Sequence, residues 1–342
     1  MSPSPFSILF TGATGNVGRV VATDLLALLP LLGITAPKSL VLGVRDPSRA
    51  QRQFPTSDLL SLRRLDLTDP ATFPESLQGI SSVFLCRPPD LSDPKPLIQF
   101  CHTARDAGVK HIAFLSLLDI EDHPHAPHFK IEQDLKTISD TDAGFAFTSV
   151  RAGFFMQNLI TTHKKEIVDL GEIVVPAGNG PTSFVDVRDI GLVSACACLA
   201  NCGIESLPGA AAAQVFGGVQ QDQPIDIAFL KGTHMIDVTG PESLTYHQVA
   251  SILSDASKRE IKYKEPSAVK AVWSWVWRGG VPMGKALVMS MIYSHVRRGN
   301  AGRVSSEVVE RLARRKAISL TEFAAKAAGE LSAEPANSAS DS

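Results

Sequence analysis

Residues 6–18 read Phe-Ser-Ile-Leu-Phe-Thr-Gly-Ala-Thr-Gly-Asn-Val-Gly, and this segment determines the architecture of the chain. Its apolar run at 8–10 predicts a buried strand, and the apolar segment 20–29 predicts a helix. The glycines between them, spaced G-x-x-G-x-x-G, allow a tight turn and a close approach of backbone to ligand. This order predicts a pyrophosphate cradle, in which N–H groups at the helix start meet the negative charge. The alternative is a tight turn that binds nothing.

Further apolar runs alternate with helical segments and predict the strands 39–44, 62–67, 82–86, 111–116 and 145–150. This alternation is typical of an α/β protein, so we predict a Rossmann-type, doubly wound parallel sheet with a smaller, mostly helical substrate lid. Ligands of such sheets bind outside the carboxyl ends of the strands. The segments that follow the predicted strand ends therefore form the candidate site.

Composition excludes several classes of function. The 342 residues include 33 Lys and Arg and 35 Asp and Glu, a near balance that argues against capture of nucleic acid or of an acidic membrane. Five cysteines, an odd number without zinc-like pairing or a secretory signal, predict a reducing compartment and a cytoplasmic location. His123, His125 and His128 lack the spacing of metal ligands, so we predict no metal site.

The end of the second strand bears on the choice of cofactor. In dinucleotide-binding folds this strand end meets the adenosine ribose, where an acid favours a free 2′-hydroxyl and an arginine accommodates a 2′-phosphate. Arg45 and Arg49 therefore predict NADP(H), although Asp46 could bind the ribose if the strand ends one residue later. Asp66 and the backbone of Leu67 are predicted to contact the adenine, with an ordinary loop acid as the alternative.

The chain is predicted to form two regions and a tail. A NADP-binding core spans 1–160 and is completed by about 182–200 and 233–240; the substrate-binding lid spans 161–181 and 241–330; and 331–342 form a disordered tail. The segment 210–224 is predicted to be a surface insertion. The lid contains Trp273, Trp275 and Trp277 with Met283, Met289 and Met291, for which both core and substrate-facing positions are open.

Several segments together resemble the NmrA-like family of atypical short-chain dehydrogenases/reductases. They are Thr11–Gly18, Phe84–Pro89, His128–Glu132, Arg151–Leu159, Thr182–Asp189 and Thr239–Glu242, and the resemblance extends over residues 6–328. One departure is Arg151-Ala152, where the family usually has arginine-proline. The resemblance implies an NADPH-dependent reductase that acts on a bulky secondary metabolite.

The resemblance also implies the kind of bond that is reduced. Members in fungal alkaloid clusters reduce imine or iminium intermediates, so the expected substrate is a C=N or conjugated C=C bond, with an indole alkaloid and coupled ring closure as finer options. The alternatives are a Diels–Alder-type cyclase that is triggered by NADPH reduction, and a non-catalytic NADP-sensing regulator. The expected partner is a small molecule, and the protein is expected to be a monomer or homodimer.

The expected catalytic residues are Lys130, His128 and Ser116. The Tyr-x-x-x-Lys pair of classical short-chain dehydrogenases is absent, because Tyr246, Tyr263 and Tyr293 all lie far beyond the fifth strand. Lys130 matches the family's lysine, with a solvated helix start as the alternative, and His128 is near enough to supply a proton. Without a tyrosine acid, C=N or conjugated C=C reduction is favoured over ketone reduction.

The remaining site predictions follow from the strand ends and from the resemblance. The predicted cofactor-binding residues are Thr11, Gly12, Thr14, Gly15, Asn16, Val17, Gly18, Arg45, Arg49, Asp66, Leu67, Cys86, Arg87, Pro88, Lys130, Gly153 and Phe155. The predicted substrate-binding residues are Asp119, Phe154, Met156, Asn158 and Trp273. The phenylalanines would supply flat apolar walls for a bulky, weakly polar molecule, with ordinary core positions as their alternative.

Overall fold

The computed structural model describes residues 6–88, 91–217 and 222–332, and within them the chain divides into two compact units. Unit 1 comprises Met1–Ala152, Val187–Val238 and Glu307–Lys316, and unit 2 comprises Gly153–Asp186, Thr239–Ser306 and Ala317–Ser342. Most of the predicted tail, residues 333–342, lies outside the described residues, as do Pro89 and residues 218–221 of the predicted insertion.

The strands and helices of both units are numbered in chain order. The strands are β1 (Ile8–Phe10), β2 (Leu40–Val44), β3 (Leu60–Arg64), β4 (Ser82–Cys86), β5 (His111–Leu117), β6 (Ala146–Ala152), β7 (Phe154–Phe155), β8 (Glu172–Val174), β9 (Thr182–Val185), β10 (Ser206–Leu207), β11 (Ile225–Asp226), β12 (His234–Val238), β13 (Ser243–Leu244) and β14 (Lys262–Lys264). The helices are α1 (Asn16–Leu31), α2 (Pro47–Gln51), α3 (Phe73–Leu77), α4 (Lys95–Asp106), α5 (Pro127–Thr141), α6 (Lys164–Leu170), α7 (Val187–Asn201), α8 (Gly209–Phe216), α9 (Tyr246–Ser257), α10 (Ala268–Trp277), α11 (Met283–Arg297), α12 (Glu307–Ala313) and α13 (Leu320–Leu331).

A seven-stranded parallel sheet forms the centre of unit 1, in the order β12-β6-β5-β4-β1-β2-β3. The chain reverses its direction of winding beside β1, which pairs with β2 on one side and β4 on the other. Helices α1 and α7 pack together, and α7 also packs on β4, β5 and β6, whereas α3, α4 and α5 form a second layer. The prediction of a Rossmann-type fold is confirmed. In such sheets the reversal point is where ligands bind.

One strand differs from its sequence prediction. The structure ends β3 at Arg64, whereas the apolar pattern predicted strand 62–67. The Leu65 N–H still donates to the Val44 carbonyl over 3.0 Å, but the Asp66 N–H then turns to the Thr72 hydroxyl. This side-chain bond satisfies the backbone and stops the edge strand early.

Unit 2 combines short strands with helices. Its sheets are β13-β9-β7 and β14-β8, and its core gathers side chains from α6, α9, α10, α11 and α13. Trp275 is fully buried there, and its indole N–H donates to the Val174 carbonyl over 3.0 Å. Trp273 and Trp277 are exposed, so the three tryptophans of the predicted lid have different environments.

The main differences between the unit boundaries and the predicted regions concern three segments. Residues 153–160 and 182–186 belong to unit 2, because β7 and β9 pair with each other. Residues 307–316 belong to unit 1, where α12 packs on α7 and β12. Hydrophobic patterns along the chain do not reveal these exchanges, since both units use similar apolar helices.

A buried histidine links three strands at the amino-terminal edge of the unit 1 sheet. His111 is fully buried, and its ring nitrogens bond the hydroxyls of Ser82 and Thr148, each over 3.0 Å. Burial, with a smaller contribution from His234, lowers the pKa of His111 to about 3. The ring is therefore neutral in the folded protein near neutral pH. A protonated ring at this buried position would have no water to solvate its charge.

The pH dependence of unfolding tests this neutral histidine. Because the pKa of His111 is lower in the folded state than its ordinary value, its contribution to stability is complete above about pH 6.5 and is lost as the pH falls towards 3. We expect His111→Gln, which cannot take up this proton, to reduce the slope of unfolding free energy against pH by up to about 1.4 kcal/mol per unit between about pH 4 and 5.5.

Urea unfolding across that pH range measures the slope for both proteins, with His111→Asn as a second variant. His125→Gln is the matched control, because His125 is exposed. Equal slopes for the wild type and both His111 variants would contradict a neutral buried ring.

Candidate functional site

The glycine turn between β1 and α1 is built from backbone contacts that exclude larger residues. Gly12 has a φ of +63°, a conformation that favours glycine, and the Gly15 N–H donates to the Gly12 carbonyl over 2.8 Å. A Cβ atom on Gly18 would lie 2.3 Å from the same carbonyl oxygen. A Cβ on Gly12 would lie 3.1 Å from the Cβ of Cys86. These contacts hold the turn tightly against the first turn of α1.

The amino-terminus of α1 is open to an anion. Gly15 is its N-cap, no side chain caps it, and its first turn contains no acidic residue. Thr14, Gly15 and Asn16 are exposed, so this end of the helix is accessible to a ligand, and the first N–H groups of a helix have no partner within it. Because the helix dipole favours negative charge at this end, the turn fits the predicted diphosphate.

Thr11 and Val17 are buried residues within the glycine-turn segment. The buried Thr11 hydroxyl accepts from the Cys86 N–H over 2.8 Å and lies 3.3 Å from the Phe84 carbonyl, so it joins the ends of β1 and β4. Val17 is buried in the hydrophobic core. Their side chains therefore fix the turn, and the ligand-facing positions are Thr14, Gly15 and Asn16.

The acidic side chains at the ends of β2 and β3 accept hydrogen bonds from neighbouring protein groups. The Asp46 carboxylate caps α2, where it accepts from the Arg49 N–H over 3.0 Å. The Asp66 carboxylate accepts from the N–H and hydroxyl of Thr68 over 2.9 and 2.7 Å. These bonds, with smaller contributions from Arg45 and Arg64, lower the pKa of Asp66.

Two exposed arginines follow the end of β2. Arg45 and Arg49 both present their side chains to solvent, whereas Leu67 is buried and offers only its backbone to a ligand. Since Asp46 is engaged as a helix cap, the arrangement fits a phosphate beside Arg45 better than a ribose diol bound by Asp46. The sequence left these two alternatives open.

The loop after β4 folds back on itself. Arg87 donates to the carbonyls of Pro88, over 3.0 Å, and of Leu91, and its Nε donates to the Nε2 of His128 over 3.4 Å. Burial raises the pKa of the Cys86 thiol to about 11, with a smaller opposing effect of Arg87, so the thiol stays protonated. Cys86 therefore acts as a packing residue over Gly12.

His128 is an uncharged acceptor. Desolvation, together with the positive charge of Arg87, lowers its pKa to about 3, and its ring lies 5.8 Å from that of Phe114. Since its Nε2 accepts from Arg87, the ring proton is on Nδ1. At neutral pH His128 is not an imidazolium, so the predicted role of proton donor does not fit this arrangement, and a positioning role for the Arg87 loop does.

Ser116 and Lys130 are the remaining members of the predicted catalytic set. Ser116 lies near the carboxyl end of β5, is 1% exposed, and its hydroxyl has no hydrogen-bond partner among the described residues. A buried hydroxyl without a partner is costly, so this atom fits a hydrogen bond to a bound molecule. Lys130 is exposed in the first turn of α5.

A buried ion pair, not predicted from the sequence, holds the start of α5. Glu132 is 2% exposed and accepts from Arg151 over 2.8 Å, and the Ser149 hydroxyl also donates to it. Arg151 donates further to Glu121 over 2.9 Å. The side chains thereby tie α5 and the loop after β5 to β6, and so position Lys130. The opposite charges of Glu132 and Arg151 were visible in the sequence, but their pairing was not.

The predicted residues of unit 2 occupy different environments. A Cβ on Gly153 would lie 2.6 Å from the Ser183 carbonyl oxygen. The close packing of the backbone therefore accounts for a glycine at this position. Phe154 packs against Phe184 and Tyr293, with ring centroids 6.3 and 6.2 Å apart. Met156 is fully buried in the core, which leaves its side chain no surface for a substrate.

Four further predicted substrate or cofactor residues lie at or near the surface of their units. Phe155 and Asn158 are half-buried in unit 2, Trp273 is exposed in unit 2, and Asp119 is half-buried in unit 1 with a left-handed φ of +55°. The Asn158 carbonyl accepts from the His163 N–H over 2.9 Å. Their roles towards a ligand stay predictions.

The tyrosines meet in the unit 2 core. His163 Nε2 lies 2.9 Å from the hydroxyl of Tyr293, which is 3.5 Å from that of Tyr246, and His163 Nδ1 lies 3.3 Å from Glu166. Burial raises the pKa of both tyrosines well above the ordinary value. The hydroxyls are therefore uncharged and satisfy one another, which is a structural arrangement that sequence spacing could not reveal.

The described residues contain neither a metal-binding cluster nor a helix able to cross a membrane. None of their His, Cys, Asp and Glu side chains form a group of three or more that could hold a metal ion. None of the described helices has both the length and the apolar character needed to cross a membrane.

Comparison with known proteins places the chain among relatives of the same size. It is 29% identical to the NAD(P)H azoreductase of Xenophilus azovorans over 290 residues, which cover 84% of this chain and 86% of the relative. It is 26% identical to the agroclavine dehydrogenase of Claviceps purpurea over 313 residues, which cover 89% and 91%.

Among solved structures, the triphenylmethane reductase of Citrobacter sp., complexed with NADP(H), superposes with a TM-score of 0.70. The match has 21% identity and covers 94% of this chain and 100% of the other, so it supports the fold. The model of the NmrA-like family matches residues 6–202, which is more than half of the chain. The resemblance found in the sequence is thus confirmed, and the chain belongs to the NmrA-like family.

Proposed function

We propose that this protein is an NADP(H)-dependent reductase that transfers a hydride to a C=N or conjugated C=C bond of a bulky, weakly polar secondary metabolite. The observation that carries the proposal is the uncapped amino-terminus of α1 over the glycine turn, with Arg45 and Arg49 exposed at the neighbouring strand end. Relatives named as an azoreductase and as agroclavine dehydrogenase support a reductase of the same general kind.

The cradle would bind the cofactor by its phosphates. The N–H groups of Asn16 and Val17 would donate to the diphosphate, whose charge suits the helix dipole. Arg45 and Arg49 would bind the 2′-phosphate, and a charge-assisted bond of this kind is stronger than a neutral one. Asp46 remains the cap of α2 in this arrangement and does not oppose the phosphate directly.

When bound, NADPH would supply a hydride to the substrate. Ser116 would donate its unpartnered hydroxyl to the bound molecules, and Lys130 would hold the cofactor ribose at the start of α5. The Glu132–Arg151 pair would keep that helix in place. A lysine in such a position binds through its charge and, if desolvated by the ligands, can also transfer a proton.

The chemistry of these side chains favours an electron-poor acceptor. With His128 neutral, its pKa being about 3, and the tyrosine hydroxyls of Tyr246 and Tyr293 satisfied within unit 2, none of these groups is a ready proton donor. An iminium carbon or a conjugated system accepts a hydride without a strong acid, whereas a ketone needs one at its oxygen. This supports reduction of a C=N or conjugated C=C bond.

A charge at the start of α1 tests the cradle. Thr14→Glu places a carboxylate beside the exposed N–H groups, where it should repel the diphosphate and lower NADPH affinity by about tenfold or more. Isothermal titration with NADPH measures the change. Thr14→Gln has nearly the same shape without the charge and should bind almost as the wild type does. Equal affinities of the two variants would place the diphosphate elsewhere.

Removing Arg45 tests the choice of cofactor. The loss of one charge-assisted contact costs about 1.5–3 kcal/mol, so Arg45→Ala should lower NADPH affinity about tenfold or more and leave NADH affinity nearly unchanged. Arg52→Ala is the control, since Arg52 is an exposed arginine at the far end of α2. If the wild type bound NADPH and NADH equally, the assignment of Arg45 to the 2′-phosphate would be contradicted. Asp46 would then be the expected partner of the ribose.

Lys130 is tested in single-turnover NADPH oxidation with a bulky imine, an enone, a quinone and an azo dye. Lys130→Met should slow oxidation by about 100- to 10,000-fold if the lysine transfers the proton, and by only about tenfold if it anchors the cofactor. Lys136→Met, on the same helix and paired with Asp140, is the control. If Lys130→Met oxidised NADPH at the wild-type rate, the proposed role of Lys130 in the site would be contradicted.

His128→Gln completes this test. Because the folded pKa of His128 is about 3, the wild-type rate should show no titration of this group between about pH 5.5 and 8, and the variant's profile should keep the same shape. Tight NADPH binding without oxidation of any acceptor would favour the cofactor-sensing alternative over the reductase.

A further inference from the structure

The exposed apolar side chains of this protein are concentrated in one segment. Among the described residues, thirteen large apolar side chains are exposed, and eight of these lie between Val269 and Ile292 on helices α10 and α11. Single exposed apolar residues are ordinary, but a cluster of them marks an interaction surface. We call these eight side chains the α10–α11 face; they are Val269, Trp273, Trp277, Met283, Leu287, Val288, Met291 and Ile292.

The face of α10 follows the helical period. Val269, Trp273 and Trp277 are spaced four residues apart, which places them along one side of the helix, and they are 80%, 55% and 72% exposed. The opposite side, with Ala271 and Trp275, is buried in the unit 2 core. The helix is therefore apolar on both sides, although only one side has a partner within the unit.

Helix α11 repeats the arrangement and packs against α10. Met283, Leu287 and Met291 lie four residues apart and are all exposed, whereas Ala286 and Tyr293 are buried on the other side. The exposed side chains of this stripe carry no hydrogen-bonding group other than the weak acceptor of the methionine sulfur. A partner that requires many hydrogen bonds would not be satisfied there.

The charged residues of the segment that carries the face are all basic. Residues 266–306 contain no Asp or Glu, and their basic residues are Lys270, Arg278, Lys285, Arg297, Arg298 and Arg303. Arg297 pairs with Glu265 over 2.7 Å, and Arg278 lies 5.9 Å from the centre of the Trp273 ring. Lys270, Lys285 and Arg298 are exposed and form no ion pair with any described residue.

We propose that the α10–α11 face binds the surface of an anionic phospholipid membrane. Apolar side chains with tryptophan would enter the boundary between headgroups and acyl chains, and the surrounding lysines and arginines would contact the phosphates. This is a surface contact through two short helices. The near-zero net charge of the whole chain does not oppose it, because screening limits each charge to its own neighbourhood.

Two other partners fit the face less well. A second copy joined by a two-fold axis would bring the same basic surfaces together, and like charges would then oppose the contact. A typical protein partner forms hydrogen bonds across the whole interface. The exposed stripe of α11 has no side chains that could form them. Two acids do lie at one end, since Glu166 and Asp169 line a surface cavity together with Lys165, Trp277 and Arg278.

Sedimentation with vesicles tests the proposal on the full-length protein. We expect binding to vesicles of phosphatidylcholine mixed with phosphatidylglycerol, weaker binding to phosphatidylcholine alone, and a loss of binding at high salt. Trp277→Ser with Met291→Ser removes two of the most exposed members of the face, and should lower vesicle affinity about tenfold or more. Thermal unfolding confirms that the double variant is folded.

The charged residues are tested separately. Replacing Lys270, Lys285 and Arg298 by Gln should lower affinity for the anionic vesicles roughly fivefold for each charge, about a hundredfold together. The matched control replaces Lys38, Lys110 and Lys231, three exposed lysines of unit 1, by Gln and should change affinity by no more than about threefold. A second control, Leu31→Ser with Met235→Ser, removes exposed apolar side chains of unit 1.

Three results would overturn the proposal. They are a wild type that does not sediment with either vesicle, equal binding by the wild type and the Trp277→Ser/Met291→Ser variant, and a dimer in light scattering that this variant dissociates. The last result would assign the face to a second copy of the chain. NADPH affinity, measured on the same variants, is expected to remain at the wild-type value, so the test is independent of the reductase proposal.

Discussion

The contact between the Gly12 carbonyl and the Gly18 backbone is the constraint on which the rest of the candidate site depends. A Cβ at Gly18 would lie 2.3 Å from that oxygen, so only glycine permits α1 to begin so close to β1. This approach leaves the first turn of α1 uncapped and open at the reversal point of the sheet. The opening proposed for an anion thus follows from a packing requirement, and not from any charged side chain.

The carboxylates near this site serve the structure. Asp46 caps α2, Asp66 closes the turn after β3, and Glu132 forms the buried pair with Arg151. Each is satisfied by protein donors, so the ligand-facing edge keeps the positive potential of the helix end and of Arg45. A diphosphate with an additional phosphate suits this distribution of charge better than a neutral ligand does.

The three tryptophans show how one sequence feature can serve two purposes. Trp275 completes the unit 2 core and bonds the Val174 carbonyl, while Trp273 and Trp277 lie on the other side of the same helix, facing solvent. An amphipathic helix would have charged residues on that side. Its apolar character, beside unpaired lysines, is the reason for assigning the side to a partner of opposite charge.

The sequence by itself determined the parallel α/β fold, the glycine cradle and the family, because these depend on the period of apolar residues and on local backbone geometry. It left open the choice between Asp46 and Arg45, since a shift of one residue at a strand end exchanges them. Only the tertiary structure decided that Asp46 caps a helix, that His128 is a neutral acceptor for Arg87, and that Met156 is buried. These outcomes depend on contacts between segments distant in sequence, and the pKa of a histidine is set by its neighbours and by its loss of water.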